Sequence, residues 1–312
     1  MILITGATGF VGHAVLKKSS SAVVLGRSLP LGFDGYYIRD NISSISDYSG
    51  CFESVSTIVH CAARVHVMSD DSEDPLLAFR EVNTAGTLNF ARQAAESGVK
   101  RFIFISSIKV NGELTSVDSK FTSIDEAAPE DPYGISKHEA EQGLIELSKE
   151  TGMEVVIIRP PLVYGPGVKG NFFNLLKLSK LPIPLPFGLI DNSRSMIYLD
   201  NLVDLILTCI DHPKAANRVF LASDDDDLSL AGLLTLIRQA MNKPLLLLPI
   251  PFFLFNLLGK LSGKSELIGR LIGNLQVDIS DAKTLLGWQP PYTVEQGIKA
   301  TVDDFLVKKS AS

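Results

Sequence analysis

Tyr133 and Lys137 are the residues of this sequence best suited to exchanging a proton with a substrate. Side chains four residues apart share one face of a helix, so the phenol and the ammonium would lie side by side. An isolated phenol titrates near pH ~10, and a neighbouring ammonium favours the phenolate. A lowered pKa would let Tyr133 give or take the proton of an alcohol.

A second pair of candidate residues, Ser106 and Ser107, directly follows the strand-like run Arg101–Ile105. Ligands of parallel sheets bind beyond the carboxyl ends of the strands, so a hydroxyl at this position would face the ligand cleft. It could hold the oxygen of a substrate while Tyr133 moves the proton.

Three glycines, Gly6, Gly9 and Gly12, follow the first strand-like run and open a helix. Such glycines allow a tight turn and the close approach of a pyrophosphate, to which the helix N-terminus offers N–H donors. The segment therefore predicts a dinucleotide site. A nicotinamide bound there would move a hydride. Its oxidised form, together with the ammonium of Lys137, would lower the pKa of Tyr133 and favour its phenolate.

The second strand-like run ends at Leu25-Gly26-Arg27-Ser28, where such folds meet the adenosine ribose. An acidic residue here would bind a free 2′-hydroxyl. Arg27 instead offers a bidentate donor for a 2′-phosphate, so the sequence favours NADP over NAD.

The elements that position these residues alternate between short apolar runs and longer helical stretches. The predicted strands are Met1–Ile4, Ala22–Leu25, Thr57–His60, Arg101–Ile105 and Glu154–Ile158, and the main predicted helices between them are Leu77–Ser97 and Tyr133–Thr151. This alternation predicts an α/β fold with a Rossmann-type doubly wound parallel sheet.

After Gly165 the sequence becomes rich in glycine and proline, which predicts a smaller, discontinuous mixed α/β substrate-binding lobe. We expect a dinucleotide-binding domain over 1–165 that returns at about 195–222, a substrate lobe over 166–194 and 223–293, and a C-terminal helix and tail over 294–312. Predicted helices in this half are Phe172–Leu178, Asp200–Ile210, Gly232–Met241, Phe252–Leu261 and Val294–Lys308.

Composition narrows the class of protein. The net charge of -6 argues against a nucleic-acid partner, because that needs a basic face. Three scattered cysteines and a first strand without a signal peptide predict a cytoplasmic protein without a metal site. No apolar run reaches the roughly 20 residues of a membrane span. Pro244–Leu258 predicts a buried segment or a partner-facing helix, with peripheral membrane contact as the alternative.

Several ordered motifs along nearly the whole chain give it a specific resemblance. The sequence resembles the extended short-chain dehydrogenases/reductases of the sugar-nucleotide epimerase/dehydratase family, on the strength of TGATGFVG at 5–12, Asp40, Val59–Ala63, Val82–Thr87, Ser106–Ser107, Tyr133 with Lys137, Arg159–Pro166, Arg194–Tyr198 and Leu286–Pro290. This resemblance implies Ser107, Tyr133 and Lys137 as the catalytic residues.

The resemblance also implies two sets of binding residues. Cofactor contacts are expected from Gly6, Thr8, Gly9, Phe10, Val11, Gly12, Arg27, Ser28, Asp40, Asn41, Ala62, Ala63, Asn83, Ser106, Lys137 and Pro160, with Asp40 against the adenine. Substrate contacts are expected from Ser107, Lys109, Asn171, Arg194 and Arg270, with Arg194 on a diphosphate. Asn83 could equally brace backbone, and Asn171 could cap a helix.

Departures from the family pattern bear on the reaction. Dehydratases carry an acidic pair after the catalytic hydroxyl, where this chain has Ile108 and Lys109, and the usual Asn after Arg159 is Leu162. Arg27 and the segment SSIKVNGE favour a 4-keto reductase of a UDP-4-keto-6-deoxy-hexosamine in O-antigen biosynthesis, with a UDP-sugar 4-epimerase as the alternative. More distant alternatives are an NADP-dependent reductase of a hydrophobic ketone and a non-catalytic dinucleotide sensor. Relatives pair through helices matching Leu77–Ser97 and Tyr133–Thr151, which implies a homodimer.

Overall fold

Seven parallel strands form the central sheet of the computed structural model, which describes residues 1–65, 74–251, 253–255 and 265–310. Their order is β3-β2-β1-β4-β5-β6-β9, with bounds Ile2–Thr5 (β1), Ala22–Gly26 (β2), Tyr37–Arg39 (β3), Thr57–His60 (β4), Arg101–Ile105 (β5), Glu154–Arg159 (β6) and Arg218–Leu221 (β9). The crossovers change direction at β1, so a cleft opens beyond the carboxyl ends of β1, β2 and β4.

Helices cover both faces of the sheet, as the alternation of strands and helices predicts. Neighbouring residues on a strand point to opposite faces, so Ile4 packs into one core cluster and Leu3 into the other. The helices are α1 (Phe10–Lys18), α2 (Pro75–Phe79), α3 (Thr87–Glu96), α4 (Pro132–Thr151), α5 (Gly170–Lys180), α6 (Leu199–Asp211), α7 (Leu230–Ala240), α8 (Ser265–Ile272), α9 (Ser280–Leu286) and α10 (Val294–Ser310).

The predicted helix Leu77–Ser97 is in fact three joined pieces. A π-helical stretch, Arg80–Gly86, lies between α2 and α3, and a Cβ on Gly86 would come within 3.0 Å of backbone atoms of Ser43. Short 3₁₀ turns at Ile108–Val110 and Pro213–Ala215 complete the helical segments.

The second half of the chain builds a smaller unit around a two-stranded parallel sheet of β7 (Leu162–Tyr164) and β8 (Met196–Tyr198). The strands β3, β7, β8 and β9, which have three or four residues each, were not among the predicted strands. Most of the predicted helix Phe252–Leu261 lies outside the described residues. We keep the division into lobes as a proposal. No helix among the described residues is long and apolar enough to cross a membrane.

Candidate active site

The glycine turn between β1 and α1 is packed as tightly as a pyrophosphate cradle requires. Gly6 has a φ of +68°, and a Cβ there would lie 2.6 Å from the backbone nitrogen of Ala62. A Cβ on Gly12 would lie 2.4 Å from the carbonyl oxygen of Gly6. The turn is closed by the Gly9 N–H donating to Gly6 O at 2.8 Å, and Phe10 and Val11 form the first turn of α1 behind it. Side chains at these glycines would fill the cradle, so the residues present fit a dinucleotide.

A cleft of about 630 Å³ extends from this turn along the ends of β1, β2 and β4. Most of the predicted cofactor residues line it together, namely Gly6, Thr8, Gly9, Arg27, Ser28, Asp40, Asn41, Ala62 and Ala63. Arg27 is exposed at the end of β2, beside Ser28. The structure therefore brings the adenosine-end residues to one place, and their roles toward a cofactor remain predictions.

Asn83 supports the wall of this cleft. Its side chain is fully buried in the π-helical stretch, where Oδ1 accepts from the Arg64 N–H at 2.8 Å and Nδ2 donates to the Arg64 carbonyl at 3.0 Å. Nδ2 also donates to Ser136 Oγ at 3.0 Å, on the catalytic helix. The structure thus supports the bracing role for Asn83, because its amide ties the loop after β4 to α4 and does not offer itself to a ligand.

A buried chain of hydrogen bonds below the glycine turn was not predicted from the sequence. The Ala62 N–H donates to Thr5 Oγ1 at 3.2 Å, Thr5 Oγ1 lies 3.0 Å from His60 Nδ1, and His60 Nε2 lies 3.1 Å from Thr87 Oγ1. Burial, together with the ammonium of Lys137, lowers the pKa of His60 to about 3. A neutral imidazole in this position joins β1, β4 and α3 without adding charge beneath the cleft.

The helix α4, which carries Tyr133 and Lys137, begins at a strong cap. Asp131 Oδ1 accepts from the Gly134 N–H at 2.7 Å, and Pro132 occupies the first helical position. A Cβ at Gly134 would lie 2.9 Å from the carbonyl oxygen of Lys109. The absence of a side chain at Gly134 therefore lets the 3₁₀ turn after β5 pack closely against the helix. This packing sets Tyr133 next to the segment that carries Ser107.

Lys137 is 1% exposed, and its ammonium donates to the carbonyl of Ile105 at 2.8 Å. The same nitrogen lies 4.3 Å from the centre of the Phe104 ring. Burial lowers the pKa of Lys137 to about 8, against the opposing effect of Cys61 and Glu141. The ammonium is therefore held at the carboxyl end of β5, where it can serve the reacting end of a bound cofactor.

The pKa of Tyr133 in the protein alone differs from the value expected with a bound oxidised nicotinamide. Burial of the phenol and the nearby carboxylate of Asp131 raise this pKa above its usual value. Tyr133 packs edge-on against Phe79, with ring centres 6.0 Å apart. In the protein alone the phenol is thus kept protonated, so formation of phenolate depends on positive charge brought by a bound oxidised nicotinamide.

Ser107 and Ser106 follow β5 but serve different purposes. Ser107 caps the 3₁₀ turn, its Oγ accepting from the Lys109 N–H at 3.3 Å, which leaves its own hydroxyl proton available to a substrate oxygen. Ser106 is 3% exposed and donates to Glu141 Oε1 at 2.5 Å. Its hydroxyl is thus engaged in the protein interior, and the predicted contact of Ser106 with a cofactor stays a prediction.

Glu141 anchors α4 through a buried ion pair with Arg159 at the end of β6. The guanidinium donates to both oxygens of Glu141 at 2.5–3.2 Å and also to Asn111 Oδ1 at 2.9 Å. Next to Arg159, the carbonyl of Pro160 accepts from the Ile108 N–H at 3.0 Å. These contacts fix the segment after β5 and the catalytic helix against the same strand.

Lys109 is held by two carboxylates. Its ammonium pairs with Glu113 at 3.0 Å and with Asp131, the cap of α4. In the protein alone the ammonium is thus already paired with carboxylates, and its contact with a substrate oxygen stays a prediction. Glu113 also faces Arg270, with 3.6 Å between its Oε2 and the arginine Nε.

Arg194 and Arg270 lie together, as their predicted common role requires. Arg194 Nη1 donates to the carbonyls of Arg270 at 2.8 Å and of Gly273 at 3.0 Å, and burial lowers its pKa despite the opposing charge of Glu113.

Asn171 is exposed in the first turn of α5, whose N-cap is Lys169, so it does not cap that helix. In the described part of the chain, no hydrogen bond joins Asn171 to the two arginines.

Comparisons with known proteins agree with this geometry. Residues 2–222 match the model of the NAD dependent epimerase/dehydratase family. The chain is 52% identical to a UDP-glucose 4-epimerase of Vibrio cholerae over 98% of this chain and 95% of the relative. It is 29% identical to an N-acetyl-α-D-glucosaminyl-diphospho-ditrans,octacis-undecaprenol 4-epimerase of Escherichia coli O157:H7, over 96% and 94%.

The fold has close counterparts among solved structures. The crystal structure of UDP-glucose 4-epimerase with UDP-glucose from Thermotoga maritima superimposes with a TM-score of 0.77, covering 100% of this chain and 99% of that one at 23% identity. With the family model spanning the dinucleotide turn, Ser107, Tyr133 and Lys137, the chain belongs to the NAD-dependent epimerase/dehydratase family.

Proposed function

We propose that this protein is a UDP-hexose 4-epimerase that retains NAD throughout its cycle. The arrangement of Ser107, Tyr133 and Lys137 at the end of β5 and the start of α4 carries the proposal, because one such set can serve both removal and return of the same hydrogen. The 52% identity to a UDP-glucose 4-epimerase favours epimerisation over the 4-keto reduction expected from Arg27. A dehydratase lacks support, because Ile108 and Lys109 stand where it carries acids.

A bound nicotinamide supplies hydride acceptance and return at carbon 4 of the sugar. Ser107 donates its hydroxyl proton to the oxygen on that carbon and holds it in place. Tyr133 takes the hydroxyl proton while the sugar is oxidised and gives it back when the ketone is reduced from its other face. Lys137 holds positive charge beside the cofactor ribose, which favours the phenolate during the first half of the cycle.

The diphosphate of the substrate would lie on Arg194 and Arg270. Nη1 of Arg194 already donates to two carbonyls, which fixes the guanidinium plane and leaves its Nε and Nη2 donors for phosphate oxygens. Glu113 lies against Arg270, and a bound diphosphate would compete with this carboxylate for the cation. The binding of UDP-linked sugars and the pairing of two copies through α3 and α4 remain proposals.

Turnover of UDP-galactose to UDP-glucose without added reductant is the direct test. We expect steady conversion by the purified protein, and a loss of about 10²- to 10⁴-fold in Tyr133→Phe with the bound cofactor retained. Tyr36→Phe, at an exposed tyrosine, is the matched control and should keep wild-type activity. Stoichiometric oxidation of NADPH with a 4-keto sugar, and no epimerisation, would instead establish the reductase.

A lipid-linked sugar diphosphate is a second candidate substrate. One relative is named for a 4-epimerase of an undecaprenyl-diphospho-sugar, and such a substrate shares the diphosphate that Arg194 would bind. The specific observation in its favour is a set of exposed apolar side chains on 181–189 and 245–248. Both segments belong to the proposed substrate lobe, which also contains Arg194. Comparing turnover of UDP-N-acetylglucosamine with that of a short-chain polyprenyl-diphospho-N-acetylglucosamine would separate the two.

A further inference from the structure

Two apolar segments of the smaller lobe present side chains to solvent. We define this apolar face by Leu181, Ile183, Leu189, Leu245, Leu246 and Leu248, which are between 39% and 54% exposed. The prolines among them, Pro182, Pro184 and Pro186 on one segment and Pro244 and Pro249 on the other, are exposed as well. The sequence alone predicted a buried or partner-facing segment here, and the structure shows that much of it is not buried within this chain.

The two segments are joined by backbone hydrogen bonds into one surface. Leu185 donates to the carbonyl of Leu246, and Leu248 donates to the carbonyl of Leu185, each at 2.8 Å. Leu185 itself is 1% exposed and packs into a small core with Ile190 and Phe255. The apolar face is therefore backed by its own core, so its exposed leucines are held in place and do not form a loose loop.

Arg238 clamps the bases of both segments from inside. It is 1% exposed and donates to the carbonyls of Leu181 at 3.2 Å, Ile183 at 2.7 Å and Pro244 at 3.2 Å. A buried guanidinium that satisfies three carbonyls fixes the spacing of the segments. The chain thus keeps an apolar surface in a definite shape, at the cost of exposing it to water.

Cations directly precede both segments of the apolar face, and the exposed Asp191 lies two residues after Leu189. In a chain with 35 acidic residues and a net charge of -6, the stretches 166–190 and 228–265 contain no Asp or Glu. A lysine directly precedes each apolar segment, Lys180 before Leu181 and Lys243 before Pro244. Exposed leucines bordered by cations are complementary to a surface that is apolar inside and anionic at its rim.

We propose that the apolar face docks on the surface of a lipid bilayer that contains anionic headgroups. The leucines enter the boundary between headgroups and acyl chains, and the lysines lie among the phosphates. Leu189 is five residues from Arg194, so the docked face lies within about 18 Å of the proposed diphosphate site.

Vesicle sedimentation of the full-length protein tests this docking. Wild-type protein should sediment with vesicles of phosphatidylcholine and phosphatidylglycerol, more weakly with phosphatidylcholine alone, and less as salt is raised. Leu245→Ser with Leu248→Ser should lower the partition coefficient by about 10-fold or more. Lys180→Ala with Lys243→Ala should lower it to a similar degree on the anionic vesicles only.

Matched controls distinguish binding through the apolar face from binding through exposed apolar side chains elsewhere on the protein. Leu31→Ser with Ile124→Ser alters side chains that are 96% and 91% exposed outside the apolar face, and sedimentation should be unchanged. All variants should keep the wild-type thermal unfolding transition and wild-type turnover of the water-soluble sugar nucleotide. The docking proposal does not depend on the proposed epimerase activity, so a negative result for one proposal does not contradict the other.

Two results would overturn the docking proposal. One is wild-type protein that stays in the supernatant with anionic vesicles, or a leucine variant that sediments as wild type does. The other is light scattering that shows a dimer in the wild type and a monomer in Leu245→Ser with Leu248→Ser, because the face would then be covered by a second copy.

Discussion

The ammonium of Lys109 contacts the carboxylate of Asp131, the residue that caps the helix of Tyr133 and Lys137. The dehydratases of this family are expected to carry an acid at this position, so the chain has placed a cation where those enzymes place a proton donor. Because Asp131 raises the pKa of Tyr133, a cation on that carboxylate limits the increase. Lys109 is thus a positioning residue that acts on the catalytic phenol through Asp131.

Lys109→Met should move the acidic limb of the pH profile of kcat to higher pH. Without the ammonium, the negative charge of Asp131 acts more strongly on Tyr133, and phenolate forms only at higher pH. We expect a shift of about half a unit to one unit. Lys109→Arg keeps the charge and should keep the profile, whereas Asp131→Asn keeps a cap acceptor and should shift the limb the other way. Identical profiles for Lys109→Met and wild type would refute the coupling.

Glu141→Gln should destabilise the fold far more than the loss of an exposed ion pair. Arg159 is 5% exposed and would remain charged and buried with its main partner neutralised, which costs about 3 to 5 kcal/mol. Glu150→Gln is the control, because the pair of Glu150 with Arg92 has side chains more than half exposed, a class worth about 0 to 1 kcal/mol. Urea unfolding of both variants at neutral pH measures the difference, and equal losses would contradict it.

His60 should make the protein less stable as the pH falls below about 6.5. Its folded-state pKa is lowered to about 3, whereas the unfolded chain takes up the proton near the model value of 6.5. Between these values the unfolded state binds more protons, so the free energy of unfolding falls by about 2 kcal/mol between pH 6.5 and pH 5.

The contribution of His60 can be isolated by comparing slopes. His60→Gln removes this titration, so its free energy of unfolding should depend less steeply on pH than that of wild type over the same interval. Chemical denaturation at several pH values gives both curves. Parallel curves would show that the pKa of His60 is the same in the folded and unfolded states, which would contradict the lowered folded-state pKa.

Arg27→Asp should change the cofactor preference. The arginine is exposed at the end of β2 and lines the cleft beside Ser28, where a 2′-phosphate would meet it. We expect NADP binding to weaken about 10-fold more than NAD binding, because a carboxylate repels the phosphate and accepts from the free hydroxyl. Titration calorimetry on cofactor-stripped protein measures both, and equal losses would remove the 2′-phosphate role.

Sequence alone determined the features that depend on neighbours along the chain. The spacing of Gly6, Gly9 and Gly12 indicated the turn, because Gly9 and Gly12 approach the backbone of Gly6 within a few residues. The approach of Gly6 to Ala62 is a tertiary contact that the spacing did not show. The spacing of Tyr133 and Lys137 indicated one helix face, and two predicted strands, Thr57–His60 and Arg101–Ile105, have the observed bounds. Periodicity and turn chemistry act over a few residues, so they can be read without the fold.

Tertiary structure decided the environment of each side chain. Asn83 meets Arg64 across 19 positions, Ser106 meets Glu141 across 35, and Arg194 meets Arg270 across 76. The first two contacts show side chains that brace the fold, and the third fixes the guanidinium plane of Arg194. In the protein without a cofactor, burial raises the pKa of Tyr133, an effect that the spacing to Lys137 did not reveal. Burial and charge pairing depend on which distant segments the fold brings together, so local spacing could name the reactive residues but not their ionisation.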